Sequence, residues 1–589
     1  MYKPLAVIFM IIGFLLGCQK TSQSSYIVIA ADHLNFQDSN CSRDWPEHNS
    51  GMSILCREAV RWTHAYTTSV LSGPALSSIL TGLYPLQTGY HHPGQYLSPQ
   101  FKNIAQVAIE HNYRTAFFSG GAPIFKKSGL DSGFEFFDDI LSLNANPYFK
   151  PFRQNLNSFY EWSSEIGHSP FFATFYVPDM RFTYRTTTTL TGETRNKSYE
   201  SQLEEFDSSL FDLITKLKRE GSWDNTHFIL VGLQGRNLYD RRSLSPNLNL
   251  HSENSQVALL WKPAQKKRDS PLSWTVDQNV SLADIGHTLF DLFGEKSSES
   301  QLSTISLANT LLQPQSNFIG SRLLLIESAW GEWHLGINPF YAILNDDELY
   351  FHTNPPVLYR TLSDHLEINP VKLQLSNSSY TNIYLPFADK ENLKVFYPPS
   401  LSPLSLWNLT EDDWAEPNLK AVFDLYHSVK PQNIPPEARA WYARSLIENS
   451  DWKELKVVAE KWNNLEYMWL AHKYLPNFRL KKEPPCFLLL HNKMRTASNI
   501  KKCHDPLFLE TLYALDDKKS TRKWEKIIED RLIMAQILKA NRALGSIWDV
   551  TESESNVLSL SEILFRSPEY KNKLRIVRKN INSVELESP

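Results

Sequence analysis

No stretch of this 589-residue chain gathers positive charge: 60 Lys and Arg are spread among 64 Asp and Glu, for a net charge of −4. A stripe that tracks phosphates needs clustered cations, so nucleic acid is excluded as a partner. Cysteine is scarce. The five present include two sequence-local pairs, and neither pair has histidines nearby at zinc-ligand spacing, which argues against a zinc site. Low-complexity tracts are missing as well; 42% hydrophobic and 21% charged residues are the balance of a folded globular chain. The length is too great for one ordinary core, so one large domain and at least one smaller one are expected. The 16 tryptophans are scattered rather than clustered, which favours core and interface packing over a sugar-stacking platform.

The N-terminal apolar run, Leu5 to Leu16 in "MYKPLAVIFMIIGFLLGCQK", falls short of the roughly 20 residues that span a bilayer and reads as the h-region of a secretory signal. Its end, "LLGC", resembles the bacterial lipobox. That resemblance implies a lipoprotein signal peptide over 1–17, lipidation of Cys18, a linker over 18–25, and a periplasm-facing protein held to the membrane by its acyl chains. Gln19, rather than an inner-membrane-retaining aspartate, points to the outer membrane. An ordinary signal peptide with an incidental Cys18 is the alternative. In an oxidising compartment the other four cysteines are expected to pair locally, Cys41 with Cys56 and Cys486 with Cys503.

From Tyr26 to Gly294 strand-like and helix-like runs alternate. "YIVIAAD", "HFILVGL" and "VALLWKP" are short continuous apolar runs, as in strands buried on both faces. The helical segments between them predict an α/β domain over 26–294, with a parallel sheet covered by helices on both faces. The clearest helix carries Leu210, Leu213, Ile214 and Leu217 at core-facing spacing, with Gly221 just past its end. Shorter strands over 295–400 predict a small antiparallel subdomain. From 411 to 589 helical patterns follow one another, and "PEARAWYARSLIEN" with "DWKELKVVAEKWNN" loosely resembles a tetratricopeptide pair. Partner binding by helical repeats and a plain helical cap are both open there.

One segment joins fold to chemistry: "AYTTSVLSGPALSSILTGLYPLQTG", residues 65–89. With "YIVIAADH" before it and "NYRTAFFSGG", "GLDSGFEFFDD", "SWDNTHFILVGLQG", "SQVALLWKP", "SLADIGHTLFDLFG" and "VLYRTLSDHLEINP" after it, the chain from Tyr26 to about 370 resembles the sulfatase family of the alkaline phosphatase superfamily. The resemblance implies an alkaline-phosphatase-like fold. It also implies a position for each catalytic group. Sulfatases oxidise a Cys or Ser to formylglycine, and that position is Ser72; the enzyme that does so reads Pro and Arg downstream, here Pro74 and Leu76. The implied reading is an unmodified serine.

The family's metal-ligand positions fall on Asp32, His33, Leu233 and Gln234. A calcium-like ion takes six to eight oxygens, and leucine has no lone pair, so the set is vestigial. Its sulfate-handling lysine and two histidines align with Gly120, Ala122 and Arg181. Losing these groups removes the electrostatic stabilisation that carries such reactions. Arg181 is retained as an anion contact. For Ser72 the plainer reading is a helix N-cap or turn residue, with anion binding at that helix end as the alternative. Asp32 is either a vestigial ligand or a hydrogen-bonded loop residue, and His91 and His92 are expected to be solvent-exposed.

The expectation is therefore a catalytically degenerate, sulfatase-like envelope lipoprotein with a binding or scaffolding role, its partners an anionic envelope component or a protein docked on the C-terminal helices. No cofactor is expected. The alternative is a working sulfuric or phosphoric ester hydrolase that uses Ser72 and a rebuilt Ca2+ or Mg2+ site.

Overall fold

The computed structural model describes residues 23–475, with its longer omissions at 42–49, 140–149, 189–193, 237–248, 266–272, 296–301, 314–321, 352–356, 372–406 and 410–414. Cys18, the signal segment, Ala122, Cys486 and Cys503 lie outside the described residues.

Chain order in the first unit begins β1 (Ser25–Ala31), α1 (Gly51–Glu58), β2 (Val60–Tyr66), α2 (Ser72–Thr81), α3 (Ile104–Glu110), β3 (Arg114–Ser119) and β4 (Phe136–Asp138). It continues α4 (Phe152–Ile166), β5 (Phe171–Val177), the β6 (Tyr184–Thr188) and β7 (Thr194–Lys197) ribbon, α5 (Tyr199–Arg219) and β8 (Thr226–Gly232). The unit closes with β9 (Gln256–Val257), β10 (Leu259–Lys262), β11 (Thr275–Ser281) and α6 (Leu282–Leu292). β1 and β8, every residue apolar or small along their centres, are buried on both faces and pair in parallel, Tyr26 against His227 through Ala31 against Gly232. The nine-stranded sheet runs β11-β2-β10-β8-β1-β5-β3-β4, with β9 joining β2.

The sheet departs from the all-parallel expectation in one place. β10, the strand in "VALLWKP", is antiparallel to both β2 and β8. β9, separated from it by Ala258 alone, runs the same way and is likewise antiparallel to β2. Helices cover both faces. On one, Leu203, Phe206, Leu210, Leu213, Ile214 and Leu217 of α5 pack with Phe118 and Phe175; on the other, Ile79 and Leu80 of α2 meet Ile285 and Leu289 of α6. α2 and α6 cross tightly, for a Cβ added at Gly286 would lie 2.5 Å from the Gly82 nitrogen. Cys41 and Cys56 are disulfide-bonded with Cα atoms 5.6 Å apart, tying the loop after β1 to α1.

A second, four-stranded antiparallel sheet follows: β12 (Leu323–Ser328), β13 (Phe340–Asn345), β14 (Glu348–Phe351) and β15 (Val357–Arg360). Leu324, Ile326, Ala342 and Leu344 on its inner face share one core with Val422 of α7 (Leu419–Tyr426), Tyr442 and Leu446 of α8 (Pro436–Glu448) and Val458 of α9 (Trp452–Trp462). Among the described residues no helix is long and apolar enough to cross a membrane.

The second sheet also reaches the first unit's functional edge. Glu327 in β12 donates its backbone N–H to Thr68 and accepts from Val70, so β12 runs beside the loop that leads into α2. The Glu327 side chain is buried and meets His91 Nδ1 at 3.0 Å. This corrects the expectation for "TGYHHPG": His91 is an ion-pair partner at 14% side-chain exposure, and His92 is buried. Burial alone would lower the His91 pKa, but Glu327, aided by Glu332, more than reverses this and lifts it to about 9. A folded-state pKa above the unfolded value stabilises at low pH: the contribution is complete below about 6.5 and is lost as pH climbs through about 9. Thermal unfolding scans from pH 6.5 to 10 should therefore show a falling midpoint that flattens in His91→Gln.

Candidate functional site

The carboxyl ends of β1, β5, β8 and β2 lie along one edge of the sheet, the usual place for a site in an open α/β fold. β1 delivers Asp32, whose N–H bonds the Val177 carbonyl at 2.9 Å, so the ends of β1 and β5 stand abreast. The Asp32 side chain is fully buried. Its Oδ2 accepts from the Ser72 hydroxyl at 2.8 Å and the Tyr176 hydroxyl at 2.7 Å, and Arg181 Nη1 lies 3.6 Å away. Burial pushes the Asp32 carboxyl up, against the pull of Arg181, Tyr176 and Ser72.

Ser72 opens α2 but does not cap it. The N-cap is Leu71, with no side-chain capping bond, and the Ser72 hydroxyl is turned to Asp32 instead. The helix is closed at its far end by Gly82 at φ 71°, a left-handed conformation glycine adopts without strain. Thr67 and Ser69 order the approach loop, Thr67 Oγ1 donating to the Ser69 carbonyl at 2.7 Å and Ser69 Oγ accepting from Leu71 N–H at 3.2 Å.

Past Val177, Pro178 and the 3₁₀ turn Asp179–Arg181 bring Arg181 back over the strand ends. Asp179 fixes that turn by accepting the first N–H of α4, Phe152, at 3.0 and 3.2 Å. Gly120 is packed beneath it, where an added Cβ would meet Pro178 Cδ at 2.1 Å. Leu233 is buried and holds register through its N–H to the Ala31 carbonyl at 2.8 Å. Gln234 is buried as well. His33 is partly buried at φ 56°, and burial together with Arg181 and Arg236 lowers its pKa to about 3, so the imidazole is neutral near pH 7.

Residues 24–295 match the family model described as Sulfatase. They form a sulfatase-family domain. No curated protein matches the chain. Among solved structures, the phosphonate monoester hydrolase of Agrobacterium radiobacter is 16% identical, with 67% of this chain and 100% of that one covered at a TM-score of 0.44. A putative sulfatase from Bacteroides thetaiotaomicron is 15% identical, with 62% and 90% covered at 0.45. A 2-O GAG sulfatase is 15% identical, with 62% and 90% covered at 0.46.

Within this sulfatase-family domain Ser72 and Asp32, which the sequence resemblance aligns with the family's nucleophile and first metal ligand, are in direct contact, and Arg181 joins them. His33, Leu233 and Gln234 sit at the adjoining strand ends. The donors that a metal would use are few: Asp32 Oδ1 and Gln234 Oε1 are buried oxygens with no hydrogen-bond partner among the described residues, and Leu233 offers nothing. A hard divalent ion that wants six or more oxygens does not fit this set. Among the described residues no group of three or more His, Cys, Asp or Glu side chains is arranged to hold a metal.

Three participants were beyond the sequence reading. Tyr176 lies inside an apolar strand and carries no motif. Arg236, two residues past Gln234, forms a two-pronged ion pair with Asp38 at 3.0 and 3.2 Å, with its guanidinium 3.6 Å from the centre of the Tyr199 ring. Tyr199 Oη lies 2.8 Å from both Asp38 Oδ2 and the His33 carbonyl, so the loops after β1 and β8 are bound to the start of α5. The "LQGR" that follows β8 was the available signal, an arginine just past the aligned ligand positions.

Proposed function

We propose that the sulfatase-family domain is a catalytically degenerate binding module, which receives an anionic envelope component at the Arg181 edge of the sheet and does not cleave it. One observation carries the reading: the single acidic side chain left at the family's ligand positions is already engaged by Ser72, Tyr176 and Arg181. A carboxylate so occupied holds the nucleophile position in place. It is not part of a hard-cation cage. Gly120 in place of the family's lysine and Arg181 in place of its histidine leave the leaving-group side without the proton donor such a reaction uses. Arg181, 30% exposed, keeps a face toward solvent from which a guanidinium can meet sulfate or phosphate oxygens.

In this reading a lipid anchor at Cys18 holds the domain in the periplasm, on the outer membrane, and the helices α7 to α9 offer a protein partner a surface. Intact mass of the peptide containing Ser72 tests the central claim. Unmodified serine, with no turnover of 4-nitrophenyl sulfate or 4-nitrophenyl phosphate above Ser72→Ala, is the expected result. An aldehyde at residue 72, or turnover abolished by that substitution, sinks the proposal.

A second reading, ester hydrolysis by Ser72, is favoured by its 2.8 Å bond to a carboxyl whose proton affinity burial has raised, which is the relation of nucleophile to general base. Ca2+- or Mg2+-dependent turnover in the same assay would decide for it.

A further inference from the structure

We infer that Arg181 supplies from within the chain the positive charge that a divalent ion would bring to Asp32, so that the sulfatase-family site is electrostatically complete without a metal. The position of this guanidinium is built, not incidental. The ends of β1 and β5 are locked abreast by the Asp32 N–H to Val177 carbonyl bond at 2.9 Å, and the turn that follows is closed by the Arg181 N–H to Pro178 carbonyl bond, also 2.9 Å. Asp179, buried and bonded to the Phe152 N–H, pins the middle of that turn. The absence of a Cβ at Gly120 lets Pro178 come close enough for the turn to lie over the strand ends.

The result is a cationic nitrogen 3.6 Å from Asp32 Oδ2, the oxygen that also takes the Ser72 and Tyr176 hydroxyls. A buried carboxylate must find a cation or lose its charge, and here one is covalently supplied. Among the described residues the oxygens left over, Asp32 Oδ1 and Gln234 Oε1, are too few for a calcium-like shell, and a guanidinium on the same carboxylate repels a second cation. Substitution of Leu233 for an oxygen ligand fits the same account: once the charge is internal, a ligand strand end is free to become apolar and buried. The inference concerns Asp32 alone and stands whether or not an anionic ester binds.

The test uses the full mature chain, dialysed against EDTA and then supplied with CaCl2, MgCl2 or MnCl2. Metal content is read by elemental mass spectrometry and stability by thermal unfolding. A ligand that binds the native state raises the midpoint by mass action, so a site without affinity should show a shift of less than about 1 °C at millimolar metal. Near-stoichiometric metal retained after dialysis, or a rise of about 4 °C or more with any of the three ions, overturns the inference. Arg181→Met should unfold several degrees lower than wild type and Arg181→Lys, which keeps the charge, should recover part of the loss. Equal midpoints for Arg181→Met and wild type also overturn it. If Arg181→Met does not fold, the wild-type metal measurement and Arg181→Lys still decide. An aldehyde at Ser72 would remove the binding-module reading without touching this one.

Discussion

Replacing Arg322 with methionine is expected to lower the unfolding free energy by about 3 kcal/mol, the cost of leaving a buried partner charge uncompensated. Arg322 immediately precedes β12 and is buried, and its Nη2 lies 2.9 and 2.7 Å from the two oxygens of Asp284, whose side chain is wholly buried. Asp284 lies in the first turn of α6, where it also accepts the Ser281 and Ile305 N–H groups at 2.7 and 2.9 Å. Those bonds and the helix N-terminus soften the loss, which places the estimate at the low end of the usual range of about 3–5 kcal/mol. Asp284→Asn on its own should cost less, and adding it to Arg322→Met should cost less than the sum, because the charge left stranded by the first change is then removed. Urea denaturation of the two single variants and the double variant measures the coupling.

The effect should not stay local. β12 carries Glu327, which anchors His91 by its side chain and Thr68 and Val70 by its backbone, and those residues lead directly to Ser72. The Arg322–Asp284 pair therefore holds the second sheet in the position from which it braces the loop that leads to Ser72.

Much of this architecture was legible in the chain. β1 and β8 lie inside the sheet with both faces covered, and burial on both faces writes itself into sequence as an unbroken apolar run. The α5 core stripe was readable for the matching reason, one covered face at helical spacing, and Leu210, Leu213, Ile214 and Leu217 are all buried. The direction of β10 was not legible, because an apolar run looks the same whichever way the strand points. The burial of His91 was invisible because its partner, Glu327, lies 236 residues away.

At the site the ordered motifs placed Asp32, Ser72 and Arg181 together, yet the role given to the Ser72 hydroxyl by the N-cap reading was wrong. A serine at a helix start has local backbone partners, and nothing nearby in sequence reveals a carboxylate 40 residues earlier that takes the hydrogen bond instead. Tyr176 and Arg236 were missed for the same reason: each acts through contacts that exist only after the strand ends are aligned.

Placing lysine at Gly120, the position the sequence resemblance aligns with the family's lysine, should damage the fold. An added Cβ there meets Pro178 Cδ at 2.1 Å, the Tyr176 carbonyl oxygen at 2.7 Å and Pro178 Cγ at 2.8 Å, distances that side-chain rotation cannot relieve because the obstacles are a proline ring and a main chain. Overpacking of this kind typically costs about 1–3 kcal/mol, and the upper end is expected where the obstacle is backbone. Most of the penalty should already be present in Gly120→Ala, since the collision begins at Cβ; a much larger loss in Gly120→Lys than in Gly120→Ala would assign the cost to the buried ammonium instead. Either substitution has to move Pro178, and with it the turn that holds Arg181 against Asp32. Both variants should therefore resemble Arg181→Met in thermal unfolding and, on the binding-module proposal, leave 4-nitrophenyl sulfate unhydrolysed. If Gly120→Lys is instead as stable as wild type, the close approach of Pro178 is not what seats the arginine, and the departure from the family's pattern at Gly120 has no structural consequence.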